Sequence, residues 1–99
     1  MLERRSSLRV SSSKIVVEVC GQAIEIEDIS VDAAKIKDLT KLALEKGRCV
    51  ITLNYIKLEL NFTLHKRGDE YYMMFDDISD RDSNILQQAL KNIYNAEST

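Results

Sequence analysis

From Lys57 to His65 polar and apolar residues alternate without a break. Leu58, Leu60, Phe62 and Leu64 fall on one side, and Lys57, Glu59, Asn61, Thr63 and His65 on the other. A period of two over nine residues suits an extended strand with one face in a core and one in water, and suits no helix. The same period returns on both sides of it. Ile15, Val17 and Val19 alternate with Val16, Glu18 and Cys20; Gly21-Gln22 then offers a turn, and Ile24 and Ile26 continue between Glu25 and Glu27. Residues 48–55 place Cys49, Ile51, Leu53 and Tyr55 on one face. Past a turn at Lys66-Arg67-Gly68-Asp69, Tyr71, Met73 and Phe75 share a face.

Two segments break the period. Residues 37–46, with Leu39, Leu42 and Ala43 apolar and Gly47 as a stop, read as a short helix or helical turn. Ile85, Leu86, Ala89, Leu90 and Ile93 follow helical spacing; Ser79 stands three residues before Asp82 as a cap, and Asp80 and Asp82 suit the positive end of the helix dipole. Five or six antiparallel strands with one terminal helix give an all-β fold class, a small β-barrel closed by a C-terminal helix.

A chain of 99 residues has room for one domain. Fourteen Lys and Arg against sixteen Asp and Glu leave a net charge of −2, which argues against a general binder of long nucleic acids. That charge is unevenly spread. Residues 1–14 carry Arg4, Arg5, Arg9 and Lys14 against Glu3 and hold five serines, which reads as a flexible cationic arm ahead of a body at 15–99. Residues 15–30 carry Glu18, Glu25, Glu27 and Asp28 and no base.

Arm and body each contain half of a pattern. The arm reads Arg4-Arg5-Ser6-Ser7-Leu8-Arg9, an R-R-x-x-x-R; nineteen residues after Arg9 begins Asp28-Ile29-Ser30-Val31-Asp32-Ala33, a D-x-S-x-x-A. Guanidinium forks grip phosphates or guanine O6 and N7, while a carboxylate and a hydroxyl suit the N–H edge of guanine. In these motifs, in their order and in the strand pattern around them, the chain resembles the PilZ family of bacterial cyclic di-GMP receptors, whose signature is R-x-x-x-R followed by D/N-x-S-x-x-G. The resemblance implies a six-stranded antiparallel barrel without catalytic activity, and a cyclic di-GMP site formed by Arg4, Arg5, Arg9, Asp28, Ser30 and Ala33. Ala33 departs from the family's glycine, and Asp32 before it adds a carboxylate. If that glycine serves a positive φ or a close approach to a base, Ala33 costs of order 1 kcal/mol.

Other signals are weaker. Asp77-Ile78-Ser79 repeats D-x-S but leads into the terminal helix, where Ser79 serves as a cap. Asp80-x-Asp82-x-Asn84 begins like a calcium loop, but Ile85 stands where glycine is needed and Lys91 where glutamate is, so no metal is expected. Tyr71 to Phe75 resemble a stacking platform for RNA, but alternating burial explains them and acids flank them. His65 is read as a surface residue. Cys20 and Cys49 are expected as reduced, buried thiols in a cytoplasmic protein, with no signal peptide or membrane-spanning stretch. The expectation is a non-enzymatic receptor without cofactor. Binding cyclic di-GMP orders its arm and changes the surface shown to a protein effector, as monomer or homodimer. The alternative is an adaptor of the same fold with weak or no ligand binding; a small nucleic-acid-binding barrel is a third reading.

Overall fold

The computed structural model describes residues 8–42 and 44–97. Seven strands and one helix follow in order: β1 (Ile15–Val19), β2 (Gln22–Ile24), β3 (Ile26–Ile29), β4 (Ala33–Ile36), β5 (Lys46–Leu53), β6 (Ile56–Arg67), β7 (Glu70–Asp76) and α1 (Asp80–Glu97). All ladders are antiparallel, in the spatial order β2-β1-β5-β6-β7-β4-β3. The six-stranded closed barrel expected above is corrected to a seven-stranded sheet whose ladder is open. Its two outermost strands, β2 and β3, are nonetheless successive in the chain, separated only by Glu25. One extended run therefore pairs with β1 in its first half and with β4 in its second, and the bend at Glu25 breaks the hydrogen-bonded circuit. The carbonyl of Glu25 accepts from the backbone N–H of Lys37 at 2.9 Å, which ties the bend to the segment after β4.

The alternation in β6 does what its period dictates. Leu58, Leu60 and Phe62 are buried, and Val17 and Val19 of β1, Cys49, Ile51 and Leu53 of β5 and Met73 of β7 meet them in one core. The terminal helix packs on β5 and β6 through Leu86, Ala89, Leu90 and Ile93, the stripe expected from its spacing. Ser79 Oγ accepts from the backbone N–H of Asp82 at 3.0 Å, so the cap is made as well.

Several local expectations are corrected. Of the short helix or helical turn expected over 37–46, the described part holds the turn, a 3-10 turn at Leu39–Lys41 capped by Asp38; the expected stop, Gly47, instead lies inside β5 opposite Phe62. Strand β4, residues 33–36, is a strand that the period-two pattern does not mark. Tyr55 is not on the inward face of β5 but fully exposed at the following turn. Cys20 is exposed, not buried, because with Gly21 it makes the two-residue turn between β1 and β2, at φ 54° and 77°. Both central residues of such a turn need positive φ to match the twist of the strands. Cys49 is buried as expected, and burial pushes its thiol up to about 11. Among the described residues, no helix is long and apolar enough to cross a membrane.

Candidate functional site

The site begins where the N-terminal segment meets β3. Val10 and Ile29 exchange two backbone hydrogen bonds of 2.9 Å, and both side chains are buried. Leu8 packs against the same core, so the segment is held along the free edge of β3 by one isolated bridge at Val10. Because alternate residues point to opposite faces, anchoring Val10 inward turns Arg9 to the outer face, where Asp28 also stands. Arg9 donates to Asp28 Oδ1 from Nε at 3.0 Å and from Nη2 at 2.5 Å. The arginine motif and the aspartate motif, nineteen residues apart in the chain, thus touch. Arg4 and Arg5, the other two arginines expected at the site, lie outside the described residues.

Ser30 closes the hairpin between β3 and β4. Its Oγ accepts from the backbone N–H groups of Asp32 and Ala33 at 3.2 and 3.3 Å, and its own N–H donates to the carbonyl of Ala33 at 2.9 Å. With 1% of its surface exposed, the hydroxyl holds the turn from within. Positive φ among the described residues occurs at Cys20, Gly21, Asn54, Gly68 and Asp77, and Ala33 is not among them. The alanine at the glycine position of D-x-S-x-x-G is therefore unstrained in its own backbone. What its methyl can alter is only how closely a ligand approaches.

Ladder registers carry the site across the sheet. Asp28 pairs with Lys35, Lys35 with Tyr72 and Tyr72 with His65, one row over β3, β4, β7 and β6. Beside this row lies a groove of about 460 Å3, lined by Arg9, Ser30, Asp32, Ala33, His65, Lys66, Arg67, Tyr72 and Met74. Its charged lining is Arg9, Lys66 and Arg67 against Asp32, net positive even with Arg9 paired to Asp28. A larger hollow, about 760 Å3, lies between residues 10–13, the Glu25 bend and the end of α1. Its charged lining is Glu25, Glu27 and Glu97 against Lys37, which disfavours an anion, so the smaller groove is the candidate.

Sequence reasoning left out the far wall of this groove. Lys66 and Arg67 were read as turn residues and Tyr72 as part of a barrel pattern, yet all three reach the groove beside Arg9. The basic pair before Gly-Asp was the available signal; that it would face Arg9 depends on the β6–β7 and β4–β7 registers, which no local pattern contains. The wall is braced by a polar chain. Tyr72 Oη donates to Glu70 Oε1 at 2.9 Å, Glu70 Oε2 meets Lys35 Nζ at 2.8 Å, and Lys35 reaches Glu27 at 3.1 Å. Hydrogen bonding from Lys35, then from Tyr72, holds the Glu70 carboxyl below its ordinary range, and its bond to Glu70 raises the Tyr72 hydroxyl. Among the described residues, no three His, Cys, Asp or Glu side chains gather as a metal site.

No protein-family model and no curated protein sequence matches the chain. Solved structures share its fold. An uncharacterized Legionella protein superposes with a TM-score of 0.78 over 93% of this chain and 99% of its own, at 18% identity. The Bacillus subtilis inhibitor of motility, MotI/DgrA, superposes with a TM-score of 0.63 over 95% of this chain, at 15% identity, and the chain spans about half of it, 53%. At these identities the likeness is one of fold.

Proposed function

We propose that this chain is a PilZ-like receptor module, without catalytic activity, that binds cyclic di-GMP in the electropositive groove and signals to a protein effector. The observation that carries the reading is the meeting of Arg9 with the D-x-S-x-x-A hairpin at the rim of that groove. A dianionic dinucleotide matches its charge, and about 460 Å3 lies within the range of small-molecule sites.

Ligand capture requires Arg9 to leave Asp28. The pair is open to solvent, with side-chain exposures of 43% and 29%, so its loss costs only about 0.2–1 kcal/mol. A charge-assisted hydrogen bond to a phosphate contributes about 1.5–3 kcal/mol. The exchange favours the ligand, and it frees Asp28 to accept from a guanine edge. Arg4 and Arg5, adjacent in sequence, would add phosphate contacts, and Ser30 acts by fixing the hairpin. Titration calorimetry with cyclic di-GMP tests this: heat and saturation are expected for the wild type, with affinity reduced about tenfold or more in Arg9→Ala. An absence of heat, or an Arg9→Ala variant that binds like the wild type, would sink the reading.

A second reading has its own support. Arg9 is already engaged by Asp28, Ala33 places a methyl in the groove lining, and Asp32 adds a carboxylate there. These features fit an adaptor module that keeps the fold and has lost useful affinity for the dinucleotide. In that case Ala33→Gly together with Asp32→Asn creates binding that the wild type lacks.

A further inference from the structure

The R-x-x-x-R and D-x-S-x-x-A motifs supply one wall of the groove; the other belongs to the β6–β7 hairpin. There the guanidinium carbon of Arg67 lies 5.9 Å from the centre of the Tyr72 ring, and Lys66 Nζ lies 5.7 Å from the centre of Tyr71. Two cation–aromatic pairs thus flank the turn that closes the hairpin, on opposite faces of the sheet. They differ in one further respect. Tyr72 is held at its hydroxyl by Glu70, which is held by Lys35, which is held in turn by Glu27, so the ring is tethered across three strands. Arg67 and Tyr72 both line the groove, whereas Tyr71 does not. A flat cation laid over a tethered ring, beside further cations, is chemistry for a purine base attached to phosphate: guanidinium planes and aromatic rings both stack on bases.

We propose that Arg67, backed by Tyr72, is the stacking platform for a purine base of the ligand, a contact outside the two sequence motifs. The inference rests on the nucleotide-binding reading above and names a further specificity element of the same groove. In this arrangement Arg9 and the hairpin hold phosphate and base edge from one side, and Arg67 covers a base face from the other. Stacking of this kind tolerates different bases, so the platform contributes to affinity for purine nucleotides in general, and the Asp28 wall selects guanine.

The test is calorimetric titration of the whole chain with cyclic di-GMP and, in a second arm, with GMP. It compares the wild type with Arg67→Ala, Arg67→Lys and Tyr72→Ala, each checked by thermal melting. Arg67→Ala is expected to weaken cyclic di-GMP binding about tenfold. Arg67→Lys is expected to weaken it nearly as much, because an ammonium keeps the charge and lacks the plane, and Tyr72→Ala several-fold by removing the support. If the wild type binds and Arg67→Lys matches it, only charge is at work and the platform is overturned while the receptor reading stands. Should the wild type bind GMP and not cyclic di-GMP, the receptor reading falls, and losses on GMP in the variants uphold the platform. A wild type that binds neither nucleotide overturns both.

Discussion

Ser30 shows how far a motif residue is settled by local chemistry. The hydroxyl is buried and accepts from two backbone N–H groups of its own turn, so the serine is a structural part of the site whatever the ligand does. Removing it strands buried donors, whereas removing an exposed contact would only return groups to water. Ser30→Ala is therefore expected to lower stability by about 1–2 kcal/mol in urea unfolding, with the slope unchanged; a shift of a few tenths would show that water or a relaxed turn replaces the hydroxyl. At this scale the sequence is partly legible. Arg9 and Asp28 could be singled out because the chemistry of their side chains and their order in the chain already point to one another. Arg67 and Tyr72 could not, since each is ordinary in its own neighbourhood and becomes notable only beside the other. Cys20 failed for a related reason: alternation counted it as a strand residue, but its place before Gly21 made it half of a turn, at φ 54°.

Among the elements, legibility followed the length and purity of the hydrophobic period. Strand β6 spans twelve residues and α1 eighteen, and both were readable because each repeats its period several times against a polar face. Strand β4 is four residues, Ala-Ala-Lys-Ile, with both alanines buried, so it presents no clean alternation and only one strong strand former, Ile36. It exists because β3 and β7 flank it and pair with it on both edges. Residues 37–46 kept only the helical turn of their two expected forms, since a few apolar residues at helical spacing are too short to hold a longer helix without a packed face. The helix that does form gives a graded prediction. Leu86 is fully buried in its stripe, and Leu86→Ala is expected to cost about 2–5 kcal/mol. Ser79→Ala removes one exposed capping bond and is expected to cost about 1 kcal/mol. Chemical unfolding of the two variants checks the order; equal losses would mean that α1 contributes through its cap rather than through its contact with β5 and β6.

For the whole molecule, the strand pattern foretold a sheet curled around one core with a helix against it, and it could not foretell where the circuit breaks. That break depends on Glu25, a residue that keeps the period of its neighbours and whose bend is held by a backbone bond from Lys37. The same sheet sets the response to pH through groups that different strands bring together. Glu70 is held below its ordinary value of 4.5, chiefly by its bond to Lys35, and Asp38 is lowered chiefly by the Thr40 hydroxyl. A carboxyl whose folded value is depressed contributes stability above its unfolded value, and that contribution is lost as pH falls through the folded one. Cys49 has the opposite sign. Burial raises its thiol from 9.0 to about 11, so the folded chain keeps a proton that the unfolded chain gives up, and stability drains away as pH rises through that interval. Tyr72, raised by its bond to Glu70, adds to the same alkaline loss above its ordinary value of 10.0. These groups predict a melting temperature that is level between about 4.5 and 9 and falls on both sides. Glu70→Gln should flatten the acid limb and also relieve the part of the alkaline loss that Tyr72 contributes, since the Tyr72 hydroxyl is raised chiefly by Glu70; Cys49→Ala should cut the loss between 9 and 11 while lowering the plateau through the cavity it leaves. Melting followed by circular dichroism across pH reads both limbs separately. An acid limb unchanged in Glu70→Gln would mean that the Lys35–Glu70–Tyr72 chain is too well solvated to couple to folding, and the brace behind the groove would then be a matter of position rather than of stability.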